Sequence, residues 1–330
     1  MTMTTLGRPG FRAPRLSGPA AVLAGTGALL GGLALAVNAY ARRAEANHPP
    51  IGRVLDVDGI RVHYLERGEG WPLVLLHGPG LTLDDFAISV LDRLARRYRV
   101  VLLDRPGFGC SDRPKGCTWT PRRQAHLLRR TLDRLGVEHP IVLGHSVAAL
   151  VALAYGLAYP EATAGLVLES GYYYPTARLD LPLLAAPTLP VVGPVLRHTI
   201  SPLLGAVLLP GLLRRLFAPN PVPANFSRFP VSLTLRPGQL RADAEDSAVF
   251  PRAAAEMAPR YRSLAVPVRI LAGESDRVVS THGQSTRLYR EIPHASIRIV
   301  ERTGHMLHHV RPDAVEESIE VVREEAEAVG

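Results

Sequence analysis

Lysine is almost missing from this sequence. Of its 38 lysine and arginine residues only Lys115 is a lysine, and the arginines are scattered among 30 acidic residues. A formal charge of +8 spread in this way lacks the clustered stripe that nucleic-acid binding requires. No nucleic-acid partner is expected, and codon bias is the simpler source of the arginine. Cysteine is nearly absent too: Cys110 and Cys117 stand alone, with no C-x-x-C pair and no Cys/His cluster to mark a zinc site. Neither a dinucleotide-binding glycine fingerprint nor a P-loop is found. No cofactor and no metal are therefore expected.

One further absence is local. From Leu16 to Ala41 there is no charged side chain. As a helix at about 1.5 Å per residue this stretch reaches about 39 Å, more than the roughly 30 Å of a bilayer's hydrocarbon. Arg8, Arg12 and Arg15 precede it, and Arg42, Arg43 and Glu45 follow. It is too long for the apolar stretch of an ordinary secretory signal, yet Ala39-Tyr40-Ala41 is an acceptable cleavage site. The expectation is an N-terminal transmembrane helix, with a cleaved signal as the alternative. The excess of positive charge on the N-terminal side favours an N-terminus inside and a catalytic domain on the exported, periplasmic or extracellular, side.

The rest of the 330 residues, in a chain that is 47 % hydrophobic, suffices for one large α/β domain with an accessory segment. "RVLDVDG" and "IRVHYLERG" read as a hairpin around Asp58-Gly59. Apolar strands then alternate with helices: "PLVLLHG", a helical pattern through Phe86, Val90, Leu91 and Leu94, "RVVLLDRPG", and a helix over 121–136 marked by Pro121 and Gly136. "PIVLGHS", another helix, "AGLVLES", "PVRILAG", a helix from Thr281, "SIRIV" and a last helix from Pro312 complete the series. Such alternation implies a mostly parallel sheet flanked by helices. A Leu- and Pro-rich stretch interrupts it. The expected division is an N-terminal tail and anchor over 1–50, a core over 51–170 and 264–330, and a helical lid over 171–263 inserted after the sixth strand. The prolines are expected to cut that lid into helices too short to cross a bilayer.

A serine hydroxyl is a poor nucleophile unless a base, an acid that orients the base, and donors for the oxyanion surround it. In a parallel sheet those groups come from loops at the carboxyl ends of strands. Ser146 follows "IVLGH", Asp276 follows "VRILAGES" and His305 follows "IRIVERTG". The order Ser, Asp, His is that of a nucleophile-elbow enzyme. Ser146 would attack, His305 would carry the proton, and Asp276 would steady the imidazole.

"LLHGPG", "LDRPGFGCSDRP", "GHSVAA", "GESDRVV" and "GTGHMLHH" together resemble the α/β-hydrolase superfamily, in its serine-nucleophile branch, over about residues 53–328. The resemblance implies that fold, the triad above, and an oxyanion hole built from the N–H of Val147 and of the residue after His77-Gly78. It also offers Glu169 as a rival acid. His145 and His77 are read as partners of nearby loops, and Asp104 and Arg105 as structural. His308 and His309 neighbour His305 without an assigned role. The sequence departs from the family in two places. Ala148 replaces the usual second glycine of the elbow. Pro79 stands where the second N–H belongs, and proline has none. The loop is expected to bring the Gly80 N–H into the pocket instead, or a side chain or water to substitute.

The leading expectation is a serine hydrolase that cleaves a hydrophobic ester or related acyl substrate through an acyl-enzyme, acting beside the membrane that its N-terminal helix enters. The alternatives are C–C bond hydrolysis or cofactor-free perhydrolysis on the same triad, and a non-catalytic binding protein. In an exported protein Cys110 and Cys117 could form a disulfide.

Overall fold

The computed structural model describes residues 18–176 and 186–329. The strands are β1 (Arg53–Val57), β2 (Ile60–Arg67), β3 (Trp71–Leu76), β4 (Tyr98–Leu103), β5 (Ile141–His145), β6 (Gly165–Glu169), β7 (Val268–Gly273) and β8 (Ser296–Val300). The longer helices are α1 (Gly18–Asn47), α2 (Pro121–Leu135), α3 (Ala148–Ala158), α4 (Val192–His198), α5 (Ile200–Phe217), α6 (Pro237–Met257) and α7 (Pro312–Val329). All eight strands form one sheet in the order β1-β2-β4-β3-β5-β6-β7-β8. Pairing is antiparallel from β1 to β2 and from β2 to β4, and parallel for every other pair.

The expected hairpin is present. Asp58 and Gly59 both take positive φ (55° and 80°), as a tight two-residue turn requires. α2 begins where the sequence marks it: Thr120 accepts from the Arg123 N–H at 3.2 Å, Pro121 fills the first turn, and Gly136 closes the helix at φ 60°. The helical pattern after β3 is broken into two single turns, Asp84–Ala87 and Leu91–Leu94. Between them the Ser89 hydroxyl donates back to the Asp85 carbonyl at 2.7 Å, a bond that competes with helix continuation.

Alternation along the strands divides the core between two faces. Val74 and Leu76 of β3, with Val142 of β5, pack on α2 and α3 through Leu128, Leu132, Leu150 and Leu153. Leu73, Leu75, Ile141 and Leu143 pack on the other face against Phe86, Leu91, Val315 and Ile319.

The segment between β6 and β7 departs from expectation. Its prolines do not cut it finely: Pro210 lies inside α5 and Pro251 inside α6. At Pro210 the carbonyl that loses its donor belongs to Ala206, which is exposed and so is not stranded in the core. α5 is thus 18 residues long and, by length and composition alone, passes the same test for a membrane span as α1. Three contacts seat the segment on loops at the sheet edge: Gly109 N–H donates to Gln239, Arg105 pairs with Asp246, and His305 N–H donates to the Leu216 carbonyl. Cys110 and Cys117 are free thiols, so the disulfide is not formed.

Helix α3 and strand β5 approach closely at Gly144. A Cβ there would lie 2.6 Å from the Ala148 carbonyl oxygen and 2.8 Å from the Ala149 Cα. Gly144→Ala should destabilise the fold by about 1–3 kcal/mol, the usual cost of overpacking, read as a lower Tm. An unchanged Tm would show that the two elements can part at no cost.

Candidate active site

Ser146 occupies the reversal from β5 into α3, at φ 58°. A non-glycine residue there is held by its surroundings. Ser146 N–H donates to the Glu169 carbonyl at 2.9 Å, and the Ser146 carbonyl accepts from Tyr172 N–H at 3.1 Å. The loop after β3 passes directly over this turn: a Cβ on Gly78 would stand 3.0 Å from His145 Nδ1 and 3.3 Å from Ser146 Cβ. A side chain at 78 would need His145 and Ser146 to give by a few tenths of an ångström. The elbow tolerates Ala148, whose methyl group is fully buried; the close approach falls on Gly144 instead.

His305 and Asp276 meet as the sequence anticipates. His305 Nδ1–H donates to Asp276 Oδ2 at 2.7 Å. Asp276 Oδ1 accepts from the N–H groups of Val278 and Val279 at 2.7 and 3.0 Å. Burial pushes the Asp276 carboxyl up, but His305 and the two N–H donors outweigh it and hold it below its ordinary value. Among the described residues no hydrogen bond joins the Ser146 hydroxyl to His305. His145, the residue before Ser146, donates its Nε2–H to the His305 carbonyl at 3.2 Å, and its ring centroid lies 4.8 Å from that of His305.

Glu169 is not the partner of His305. Its Oε1 accepts from His308 N–H and from His308 Nδ1–H, at 3.0 and 2.7 Å. On the other side His308 Nε2–H donates to Asp85 Oδ2 at 2.8 Å, and His309 Nε2–H donates to Asp85 Oδ1 at 2.7 Å. These four side chains have no solvent exposure. Burial would lower the His308 pKa, but two flanking carboxylates raise it to about 10, so it is an imidazolium. Asp85 likewise lies well below the carboxylate range because His308 and His309 overcome its burial. Burial first, and then the neighbouring His308 and His305, lower His145 to about 3 and keep it neutral. The sequence reading noted His308 and His309 but missed Asp85. Only the run "HMLHH" hinted at the network, and nothing local marked its acidic half.

His77 bonds to nearby loops, as read, and Asp104 and Arg105 belong to the same bonded turn. His77 Nδ1–H donates to the Gly78 carbonyl at 2.8 Å, and Nε2 accepts from Arg105 N–H at 3.0 Å. Burial, then the Arg105 charge, lower His77 to about 4. Asp104 accepts from Leu83 N–H, Cys110 N–H and His63 Nδ1–H at 2.8, 2.9 and 2.6 Å.

The oxyanion side holds a surprise. Gly80, at φ 66°, gives its N–H to Asp243 Oδ1 of α6 at 2.8 Å. The expected free donor at Gly80 is therefore occupied. Pro79 supplies none. Val147 opens α3, where the first N–H groups lack intrahelical acceptors. Burial raises the Asp243 carboxyl to about 7, against the opposing pull of Gly80 N–H and the charges of Arg105 and Arg113, with Asp246 adding to the rise.

The profile of the alpha/beta hydrolase fold matches residues 72–312. The chain belongs to the α/β-hydrolase family. It is an enzyme of the hydrolase type. A 2-hydroxy-6-oxononadienedioate/2-hydroxy-6-oxononatrienedioate hydrolase of Pseudomonas putida is 30 % identical over 79 % of this chain and 91 % of its own length. A 2-hydroxymuconate semialdehyde hydrolase of a Pseudomonas species is 34 % identical, but over 42 % of this chain and only 50 % of that protein. Among solved structures, a bacterial membrane phospholipase A superposes with TM-score 0.63 and 24 % identity, covering 92 % of this α/β hydrolase and 96 % of that chain. At that identity the likeness speaks for the fold alone.

Two variants test the electrostatics of this edge. Asp85→Ala removes the acceptor of both His308 Nε2–H and His309 Nε2–H, leaving Glu169 as the one carboxylate on the buried imidazolium, and should cost about 3–5 kcal/mol in urea unfolding; a loss below about 1 kcal/mol would show that the network contributes little. Asp243 has a folded pKa above the ordinary 3.8. Its contribution is full below that value and is lost as pH rises through about 7. Asp243→Asn should therefore gain Tm relative to the parent between pH 5 and pH 8, and a constant offset would contradict the raised value.

Proposed function

We propose that this hydrolase cleaves a hydrophobic ester or related acyl compound through an acyl-enzyme on Ser146, His305 and Asp276. The observation that carries the reading is the 2.7 Å bond from His305 to Asp276, at the edge where Ser146 caps the elbow. The attack requires Oγ to hydrogen-bond to His305 Nε2, the ring nitrogen that the bond to Asp276 leaves free. Oγ then attacks the carbonyl carbon, its proton passes to Nε2, and the Asp276 carboxylate stabilises the imidazolium. The tetrahedral intermediate expels the alcohol, which takes that proton. A water, deprotonated by His305, releases the acid in the second half.

The Val147 N–H is one oxyanion donor. The Gly80 N–H becomes the second only when Asp243 lets it go. Lack of one such donor costs about 2.7–4 kcal/mol of transition-state stabilisation, so Asp243 acts as a brake on turnover. The segment 171–263 is read as the lid, and its leucines and valines suit an apolar substrate. Under it, Arg105 and Arg113 both pair with Asp246 and Arg113 pairs also with Glu245, so two carboxylates balance the two guanidinium charges. α1 is read as the membrane anchor, with the hydrolase core on the exported side.

The named relatives favour a second reading. They are hydrolases of 2-hydroxymuconate semialdehyde and of 2-hydroxy-6-oxononadienedioate, and the same triad could cleave a C–C bond of an activated ketone.

A fluorophosphonate should label Ser146 in the folded enzyme, and Ser146→Ala should lower kcat by about 10⁴–10⁶. Asp276→Asn should lower it by about 10⁴. A series of aryl esters with lengthening acyl chains, set against an activated diketone, separates the two readings. Faster turnover of the diketone would replace the ester assignment, and no adduct at Ser146 would remove both.

A further inference from the structure

Helix α5 is fastened at both ends and bare between them. At its start Thr199 and Pro202 are buried. At its end Phe217 is buried against Phe226 and His309, with ring centroids 5.1 and 5.5 Å apart. Arg215 donates to the Arg277 carbonyl at 2.9 Å, and the Leu216 carbonyl holds the His305 N–H at 3.1 Å. A helix tied in this way cannot thread a bilayer. Along its length, however, Val207 is 77 % exposed, and Leu203, Leu204, Leu208 and Leu212 stand out beside it. Val191, ahead of α4, is 81 % exposed as well. A contiguous apolar face of this kind marks a contact surface.

The position of α1 identifies the contact. His198, the last residue of α4, meets Asn38 of α1 at 3.1 Å, and Arg236 meets Glu45 at 3.0 Å. The charge-free stretch of α1 ends at Ala41. The start of α5 therefore lies level with the end of that stretch, where a membrane-spanning α1 would leave the hydrocarbon. Arginines bracket the bare face: Arg197, half-buried against the Pro187 carbonyl, before it, and the exposed Arg214 and Arg215 at its close. That arrangement suits phosphate headgroups around an apolar centre. It does not suit a second copy. A two-fold contact through α5 would set Arg197 of one copy against Arg214 and Arg215 of the other, like charge on like charge.

We propose that α5 lies in the plane of the membrane interface, with its exposed valines and leucines among the acyl chains of the bilayer that holds α1. This rests on reading α1 as a membrane anchor. It makes α5 an interfacial helix rather than a second span. It also turns the lid towards the bilayer, with the last turn of α5 on the backbone of His305, so an apolar substrate reaches the site from the lipid side.

The test uses the full chain in nanodiscs of phosphatidylcholine and phosphatidylglycerol, with and without brominated acyl chains. The parent carries two tryptophans, Trp71 and Trp119, which give the background. Leu208→Trp, and Val207→Trp as a second site, should show blue-shifted emission that brominated lipid quenches at least about two-fold. Tyr289→Trp, at an exposed position outside the lid, should stay unquenched. Water-like, unquenched emission at 207 and 208 in disc-bound protein overturns the proposal while leaving the anchor intact. A blue shift without bromine quenching shows a protein partner on α5 and overturns it equally. Failure of the full chain to associate with discs at all removes the anchor and the proposal together.

Discussion

The backbone at Ser146 constrains everything around it. A non-glycine residue at positive φ costs about 1–3 kcal/mol and persists only where its neighbours fix it. Here the fixing comes from β6: the Glu169 carbonyl receives the Ser146 N–H, and the Tyr172 N–H beyond the strand holds the Ser146 carbonyl. Bare backbone does the rest. Gly144 lets α3 close on β5, and Gly78 lets the loop after β3 lie against His145 and Ser146. Parallel pairing of β3, β5 and β6 thus determines where one hydroxyl points.

Buried charge secures the same edge from beneath. Asp85, Glu169 and His308 come from three separate parts of the chain, and only an imidazolium can satisfy both carboxylates at once. Their bonds pin the turn that follows His305. Asp276 is held independently, by His305 and by the N–H groups of its own loop. The acid bonded to His305 is therefore distinct from the acids paired with His308, although Glu169 ends one strand of the sheet and Asp276 follows another.

The segment between β6 and β7 reaches into this arrangement at several points. Asp243 takes the Gly80 N–H, Asp246 pairs with Arg105, and Leu216 holds His305. A segment bonded to Gly80, to His305 and to Arg105 between them moves only if those bonds change partners.

Much of this was legible in the chain itself. Asp58-Gly59, Thr120-Pro121 and Gly136 act through local backbone preference, so the hairpin and α2 fall where their residues demand. Ser146, Asp276 and His305 each follow an apolar strand, which suffices to bring them to one edge once the strands are parallel. Pro79 announces a missing donor because the loss is covalent. The remainder depends on contacts between segments far apart in sequence. The pairing of Glu169 with His308, the recruitment of Asp85, the capture of the Gly80 N–H by Asp243 and the survival of α5 through Pro210 are all decided by which groups meet and how much water is excluded. Local pattern sets the elements and the identity of the reactive groups; the folded structure alone chooses their partners, because a charge or an N–H binds whatever packing places within 3 Å of it.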